Sequence, residues 1–342
     1  MLIEPSILAF ITTYRCTSEC DHCCFSCSPR KTERISYEKM IGMIDEASGI
    51  ASIRMVTFTG GECFLLGDEL DRLIAHASGK KLRTRCVSNG YWATSMDVAR
   101  KRIKRLVDSG LNEINFSTGS MHANFIPVEN VARATRASVD AGLCTALNIE
   151  TFNESTFDMK SFMEHPLLAD LVRDKKILIN QSPWIMTKGS KKITNSPDRS
   201  RFIQSNKSGC HTCLNVIAVT PDLELVACCG FSIKQIPSLT LGSVKEDPLD
   251  LVLSKAPDDF LKIWLHIEGP ERILDFVKRH VPDYRLPVEA VHPCETCNHL
   301  YHDETARAVI REHYREVEDR IMDMYFIDLA TKSTRAYEKC TA

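Results

Sequence analysis

Short apolar, β-rich runs alternate with amphipathic stretches through the first half of the chain, at a spacing of about 25 to 30 residues. Ile7-Thr13 reads as a strand. Ser36 reads as an N-cap, with Glu38 in the first turn of a helix running to about Ser48. Arg54-Phe58 is a second β-rich run and ends at Thr59-Gly60-Gly61. Gly67-Ala77 has helical spacing, with Leu70, Leu73 and Ile74 on one face. Leu82-Val87 is a third strand, broken by Ser88-Asn89-Gly90, and Met96-Val107 the next helix. Glu113-Phe116 is a fourth strand, Val128-Ala141 a helix closed by Gly142, and Leu143-Ile149 a fifth strand. A helical region from about Glu154 to Val172 is interrupted by Pro166, and Lys176-Gln181 is a sixth strand. Six strand–helix units predict a parallel sheet with right-handed crossovers. The expected fold class is α/β, a partial (β/α)6 TIM-type barrel with its site in the loops at the C-terminal strand ends.

After Pro183 the pattern changes. Lys188 to Ser208 is polar and rich in Lys, Ser and Asn, as in a linker or mobile loop. Leu214-Thr220 and Leu223-Ala227 flank Pro221-Asp222 and predict a β-hairpin. Helices are expected near Leu249-Ser254, Asp258-His266 and Glu271-Arg279, and irregular chain from Val281 to Pro293, where Pro282, Pro287 and Pro293 fall. Asp303 to Met324 reads as one long amphipathic packing helix with Ala306, Val309, Ile310, Val317 and Ile321 on its stripe. The division expected is a barrel over 1–187, a linker or mobile loop over 188–208, an α+β module over 209–300, and a C-terminal helix and tail over 301–342.

Composition changes this picture in one respect. The 342 residues are 44% hydrophobic and 26% charged, an ordinary globular balance, and the net charge of -2 gives no overall basic field for nucleic acid. Basic clusters such as Lys80-Lys81, Lys101-Arg102 and Lys104-Arg105 read as solvated helix faces. No apolar run reaches the roughly 18 residues of a membrane span, and Met1 to Phe10 lacks the basic start and cleavage site of a signal peptide. A cytoplasmic protein is expected. Its 15 cysteines are the anomaly, since clustered cysteines in a reducing compartment more often hold metal than form disulfides. They group as Cys16 to Cys27, Cys210 to Cys229, and Cys294 with Cys297, leaving Cys63, Cys86, Cys144 and Cys340 apart. Cys86 and Cys144 lie in strand-like runs and read as small buried hydrophobes.

Cys16, Cys20 and Cys23 form C-x3-C-x2-C immediately after the first strand. Three thiolates on a [4Fe–4S] cluster leave one iron open to chelate an amine and a carboxylate. Zinc is the alternative on count alone, because His22, Cys24 or Cys27 could complete four ligands. Position favours the cluster: the motif follows strand one and Gly60-Gly61-Glu62 follows strand two. Here the sequence resembles the radical S-adenosylmethionine (SAM) superfamily, which carries these two motifs in these two loops. The resemblance implies a [4Fe–4S] cluster on Cys16, Cys20 and Cys23, with SAM chelated at its open iron and reductively cleaved to a 5′-deoxyadenosyl radical. It implies that Gly60 and Gly61 let backbone approach the methionine end, that Glu62 accepts the SAM ammonium, and that His22 lies near the adenine. Asn89, in the Asn-Gly turn after strand three, Ser117 at the end of strand four, and Glu150 at strand five are the other SAM-contact candidates, each with a turn or capping role as its alternative. Where the family usually has proline after the glutamate, this chain has Cys63.

The second cysteine group resembles the auxiliary-cluster module called SPASM or, shortened, twitch. Cys210-His-Thr-Cys213 precedes the hairpin, Cys228-Cys229 ends it, and Cys294-Glu-Thr-Cys297 follows. Leu223 stands where the module has a hairpin glycine, and no further cysteine run follows Cys297. One auxiliary [4Fe–4S] cluster is therefore expected, on Cys228, Cys294 and Cys297 with Cys210 or Cys213 as fourth ligand; a structural zinc is the alternative. Enzymes of this layout often modify ribosomally made peptides by crosslinking, epimerisation or side-chain oxidation. The expected function is hydrogen abstraction from such a peptide, with a flavodoxin- or ferredoxin-type electron donor as partner and no nucleic acid or membrane. A radical SAM dehydrogenase of a sugar alcohol or aminocyclitol is one alternative, and a non-catalytic iron–sulfur or zinc scaffold another. The chain starts almost at strand one, so an N-terminal peptide-recognition domain is not expected. Cys229 and Cys63 are candidate hydrogen-atom donors, by proximity to a ligand and to Glu62.

Overall fold

The structure is a computed structural model that describes residues 3–183, 185, 209–255, 259–285 and 290–338, with side chains to position 331. The expected linker over 188–208 and Cys340 lie outside the described residues.

The six predicted strands are present: β1 (Ile7–Ile11), β2 (Met55–Thr59), β3 (Arg83–Ser88), β4 (Glu113–Thr118), β5 (Cys144–Thr151) and β6 (Leu178–Pro183). All pair in parallel in sequence order, Ile7 opposite Met55 and Glu113 opposite Cys144. Helices α1 (Tyr37–Gly49), α2 (Asp68–Gly79), α3 (Met96–Asp108) and α5 (Val128–Asp140) make the crossovers, with the one-turn α4 (Ser120–Ala123) after β4. Ser36 caps α1 by accepting the Lys39 N–H, as its sequence position predicts. The region around Pro166 holds two short helices, α6 (Met159–Met163) and α7 (Ala169–Arg173). The sheet remains open, as in a partial barrel. Phe10 on β1, Phe58 on β2 and Phe116 on β4 are fully buried in its core.

The sheet does not end at β1. The hairpin strand β7 (Val216–Val219) pairs in parallel with β1, β8 (Glu224–Val226) returns antiparallel to β7, and β9 (Thr240–Ser243), which has no predicted counterpart, completes the order β6-β5-β4-β3-β2-β1-β7-β8-β9. Leu223 in the hairpin turn has φ 61°, the left-handed region that glycine favours, so the backbone keeps the geometry although the residue has changed. After α8 (Leu249–Lys255), the helix α9 (Phe260–His280) breaks at Gly269 (φ 77°) before Pro270. The described residues between Val281 and His292 are irregular, as expected, while one helix has no predicted counterpart and the single helix expected from Asp303 to Met324 needs a correction. Pro293 opens a helix, α10 (Pro293–His302), because proline suits the first turn, where its missing N–H is no loss. The following segment divides at Tyr314 into α11 (Glu304–His313) and α12 (Arg315–Glu338), where Tyr314 packs against Phe260.

Four residues of these basic clusters pair internally: Lys80 with Asp45, Arg102 with Asp71, Lys104 with Asp108, and Arg105 with Asp68 and Asp71. No described helix is long and apolar enough to cross a membrane.

Candidate active site

The C-terminal strand ends converge on one cavity of about 230 Å³, walled by Cys16, Cys20 and Cys23 together with Gly60, Gly61 and Asn89. The cysteine loop leaves β1 and is held by backbone bonds to the loop's return, Cys16 N–H to Ser28 O at 3.2 Å and Tyr14 N–H to Glu33 O at 3.0 Å. A turn brings two of the three cysteines together, Cys23 N–H donating to Cys20 O at 3.0 Å. Burial raises the Cys16 thiol to about 11 and pushes Cys20 up as well. Cys23 goes the other way, lowered to about 6 by a hydrogen bond from the Cys27 side chain, with the Cys27 N–H 3.3 Å from its sulfur.

Gly60 and Gly61 are required by the chain itself. Gly60 has φ 131°, and a Cβ there would sit 2.8 Å from the Thr13 carbonyl oxygen; one on Gly61 would overlap the Arg15 carbonyl. The two glycines press the second loop against the first, with Gly61 N–H on Thr13 O at 2.7 Å and Glu62 N–H on Arg15 O at 3.0 Å. Glu62 is fully buried and is not among the residues lining the cavity. Its Oε2 accepts the Asn89 N–H at 2.8 Å and its Oε1 the Phe64 N–H at 3.0 Å. Burial still raises its carboxyl to about 7. Asn89 spans three loops: its Nδ2 donates to Thr17 Oγ1 at 3.0 Å and lies 3.7 Å from the Cys16 sulfur.

On the opposite wall, Ser117 and His22 line both this cavity and a smaller one of about 100 Å³ that continues from it. Burial lowers His22 to about 4, so its ring is neutral at physiological pH. Its ring meets that of His122 edge-on at 4.9 Å. Glu150 is buried at the end of β5 and is committed to the β4 loop, accepting the Met121 N–H at 2.6 Å and pairing with His122 Nδ1 at 3.0 Å. Gly119, with φ 135°, leaves the space that the Glu150 carboxylate fills. His122 and Phe231, which no sequence motif marks, line both cavities, and Cys24, a possible fourth zinc ligand by count, lines the first. For His122 the available signal was a histidine just past the glycine turn that ends β4.

The second cysteine group surrounds a separate cavity of about 300 Å³, reached by Cys210, Cys213, Cys228, Cys294 and Cys297. Gly230 packs between two of them, its Cβ position 3.3 Å from Cys294 Sγ and 3.6 Å from Cys228 Sγ. Burial raises Cys294 to about 12 and lifts Cys228 and Cys297 too. Cys210 is a charge neighbour of all three. Cys213 also lines the cavity, with its sulfur 3.7 Å from the Lys262 carbonyl oxygen. Cys229 faces away from this cavity and neighbours Cys24. Cys63 is fully buried beside Cys86 with its sulfur 3.3 Å from the Val87 carbonyl oxygen, and it lines neither cavity. Glu271 lines this cavity, its carboxyl raised to about 7 by burial, and behind the lining the Tyr301 hydroxyl is buried without a partner among the described residues. Such a donor is rare in a finished interior, and five thiols around one cavity beside it fit a bound metal centre.

Comparison with known proteins agrees with this geometry. The profile of the radical SAM superfamily matches residues 10–144, the stretch from β1 into β5 that carries the first cysteine group and the two glycines. The chain carries a radical SAM domain. Over 293 residues it is 23% identical to YydG of Bacillus subtilis (strain 168), a protein named for a proposed role in peptide biosynthesis; the match covers 84% of this chain and 89% of that one. Two solved structures share the fold. SuiB of Streptococcus suis bound to S-adenosylmethionine superposes with a TM-score of 0.54 at 15% identity, over 74% of this chain and 66% of SuiB, just under two thirds of its length. The structure of anSMEcpe with bound AdoMet and the Cp18Cys peptide superposes with a TM-score of 0.55 at 11% identity, over 94% of this chain and 98% of that one. The fold likeness to anSMEcpe thus extends beyond the stretch that the radical SAM profile matches.

Proposed function

We infer that the protein is a radical SAM enzyme that modifies a ribosomally made peptide. The observation that carries this reading is the cavity at the strand ends, where Cys16, Cys20 and Cys23 stand against Gly60, Gly61 and Asn89 and open into a second space lined by Ser117, His122 and Phe231. Cys16, Cys20 and Cys23 would hold a [4Fe–4S] cluster, and cluster and SAM together would supply a 5′-deoxyadenosyl radical. The neutral His22 ring suits contact with an adenine, and Ser117 with a ribose. Glu62 serves first as a clamp between the loops after β2 and β3. Glu150 orients His122.

The likeness to YydG and the peptide in the anSMEcpe structure support a peptide substrate. The reaction class is crosslinking, epimerisation or side-chain oxidation, and a flavodoxin- or ferredoxin-type protein is the expected electron source. A cytoplasmic setting is in keeping with the fourteen described cysteines, all of which are free thiols. For the second group we assign Cys228, Cys294 and Cys297 to one auxiliary [4Fe–4S] cluster, with Cys210, a charge neighbour of all three, favoured over Cys213 as the fourth ligand.

Anaerobically reconstituted protein should hold about eight irons per chain, and changing Cys16, Cys20 and Cys23 together to alanine should leave about four and abolish 5′-deoxyadenosine formation. SAM cleavage that persists in the triple variant sinks the assignment. About four irons with tightly held zinc in the parent protein would replace the auxiliary cluster by a structural zinc.

A further inference from the structure

We propose that the Tyr301 hydroxyl is a hydrogen-bond donor to the group held by the second set of cysteines, and that it sets the potential at which that group takes an electron. The proposal rests on the auxiliary-cluster reading above. Cys294, Cys297 and Tyr301 lie at i, i+3 and i+7 on α10, the spacing that places three side chains along one helix face. The face that delivers two thiols to the cavity carries a phenol one turn further on, behind the residues that line the cavity. Tyr301 is 8% exposed, and its hydroxyl is buried without a partner among the described residues. Cys297, Cys213 and Cys228 are among the ionisable groups that act on it, together with Asp259.

A buried phenol normally finds a partner, because leaving the O–H unpaired costs about 1–3 kcal/mol. Here no sulfur or oxygen of a described residue takes that role. A sulfide-bearing cluster among Cys210, Cys228, Cys294 and Cys297 would supply acceptors in the space these residues enclose. Hydrogen bonds to cluster sulfurs favour the reduced, more negative state and so raise the reduction potential. A zinc ion on four cysteines offers no inorganic sulfide and takes no electron, so the proposal also separates the two metal readings.

The test uses the full chain with Cys16, Cys20 and Cys23 changed to alanine, in which any remaining iron belongs to the second group. Tyr301→Phe is introduced there, keeping the ring and removing the hydroxyl. The expected result is unchanged iron, unchanged far-ultraviolet circular dichroism, and an EPR-monitored midpoint shifted to more negative potential. A tenfold drop in the reduced-to-oxidised ratio at fixed poise corresponds to about 59 mV for one electron. An unchanged midpoint overturns the proposal, as does loss of iron, which would make Tyr301 a structural support. If Tyr301→Phe does not fold, the parent triple variant still decides: its Fe–S vibrational modes must shift between water and deuterated water, and modes indifferent to exchange overturn the donor role. Zinc without iron in that parent defeats the cluster reading itself, and is told apart from failure of Tyr301 by the metal content alone.

Discussion

Glu62 shows how much a single site residue does before any ligand binds. Two backbone N–H groups, from Asn89 and Phe64, point at its carboxylate, yet burial still raises its titration from the ordinary 4.5 to about 7. The native protein therefore keeps a proton that the unfolded chain releases between those values. The stability this group contributes is complete below about pH 4.5 and is lost as pH rises to about 7, by about 3 kcal/mol. Glu62→Gln cannot titrate. Urea unfolding of the metal-free protein at about pH 5 and about pH 7 should show the parent losing more stability across the interval than the variant. The variant should also be weaker at the lower pH, because its amide NH2 must face one of the two N–H donors. Equal slopes would show that Glu62 does not titrate in this range. The Gly-Gly-Glu motif was legible in the sequence, but its first task was not. The motif pointed to SAM, whereas the need for glycine is met by the backbone of Thr13 and Arg15.

Among the elements, the barrel strands were readable because a buried parallel strand needs a continuous β-rich run and a turn signal at its end, and each of the six has both. The helix α10 was hidden because Pro293, beside Pro287 and Pro282, suggests a loop until one sees that it occupies the first helical turn. The strand β9 was hidden because it is short and its pairing to β8 is wholly non-local. The break in α9 has a local cause. Gly269, at φ 77° and ψ 166°, occupies a region almost closed to other residues, and the turn it makes places Glu271 on the wall of the second cysteine cavity. Gly269→Ala should cost about 1–3 kcal/mol. Its effect should be lopsided: reconstitution of the second metal centre should fall, while the cluster on Cys16, Cys20 and Cys23 should load normally. Mössbauer or iron counting in the variant checks this, and equal loss from both centres would mean that the kink supports the fold generally.

At the scale of the whole molecule, the two cysteine groups are joined by the sheet and by the loops above it. The parallel pairing of β7 with β1 carries the hairpin alongside the barrel, Tyr14 donates to Asp222 at 2.8 Å, and Lys234 donates to the Phe25 carbonyl at 3.2 Å while lying over the Tyr14 ring. These ties set the loop after β8 against the first cysteine loop, so that Phe231 reaches the cavity mouth and Cys229 neighbours Cys24. That arrangement ranks the thiols able to return a hydrogen atom to a substrate radical. Cys63 faces the Val87 carbonyl in the core, Cys213 faces the Lys262 carbonyl, and Cys210 lies in the second cavity. Cys229 lines neither cavity but neighbours Cys24, which lines the first, and burial raises its thiol to about 11, so that it is protonated at neutral pH as a hydrogen donor must be. If the reaction is a redox-neutral epimerisation, Cys229→Ala, co-expressed with its peptide substrate and assayed in deuterated water, should still cleave SAM but should lose deuterium-bearing product. Cys63→Ala should behave as the parent protein does, and Cys210→Ala and Cys213→Ala should separate ligand loss from donor loss by their iron content. Normal turnover and unchanged product mass in all four variants would exclude a thiol donor among them and favour net oxidation or crosslinking, in which the substrate radical gives up an electron and receives no hydrogen back.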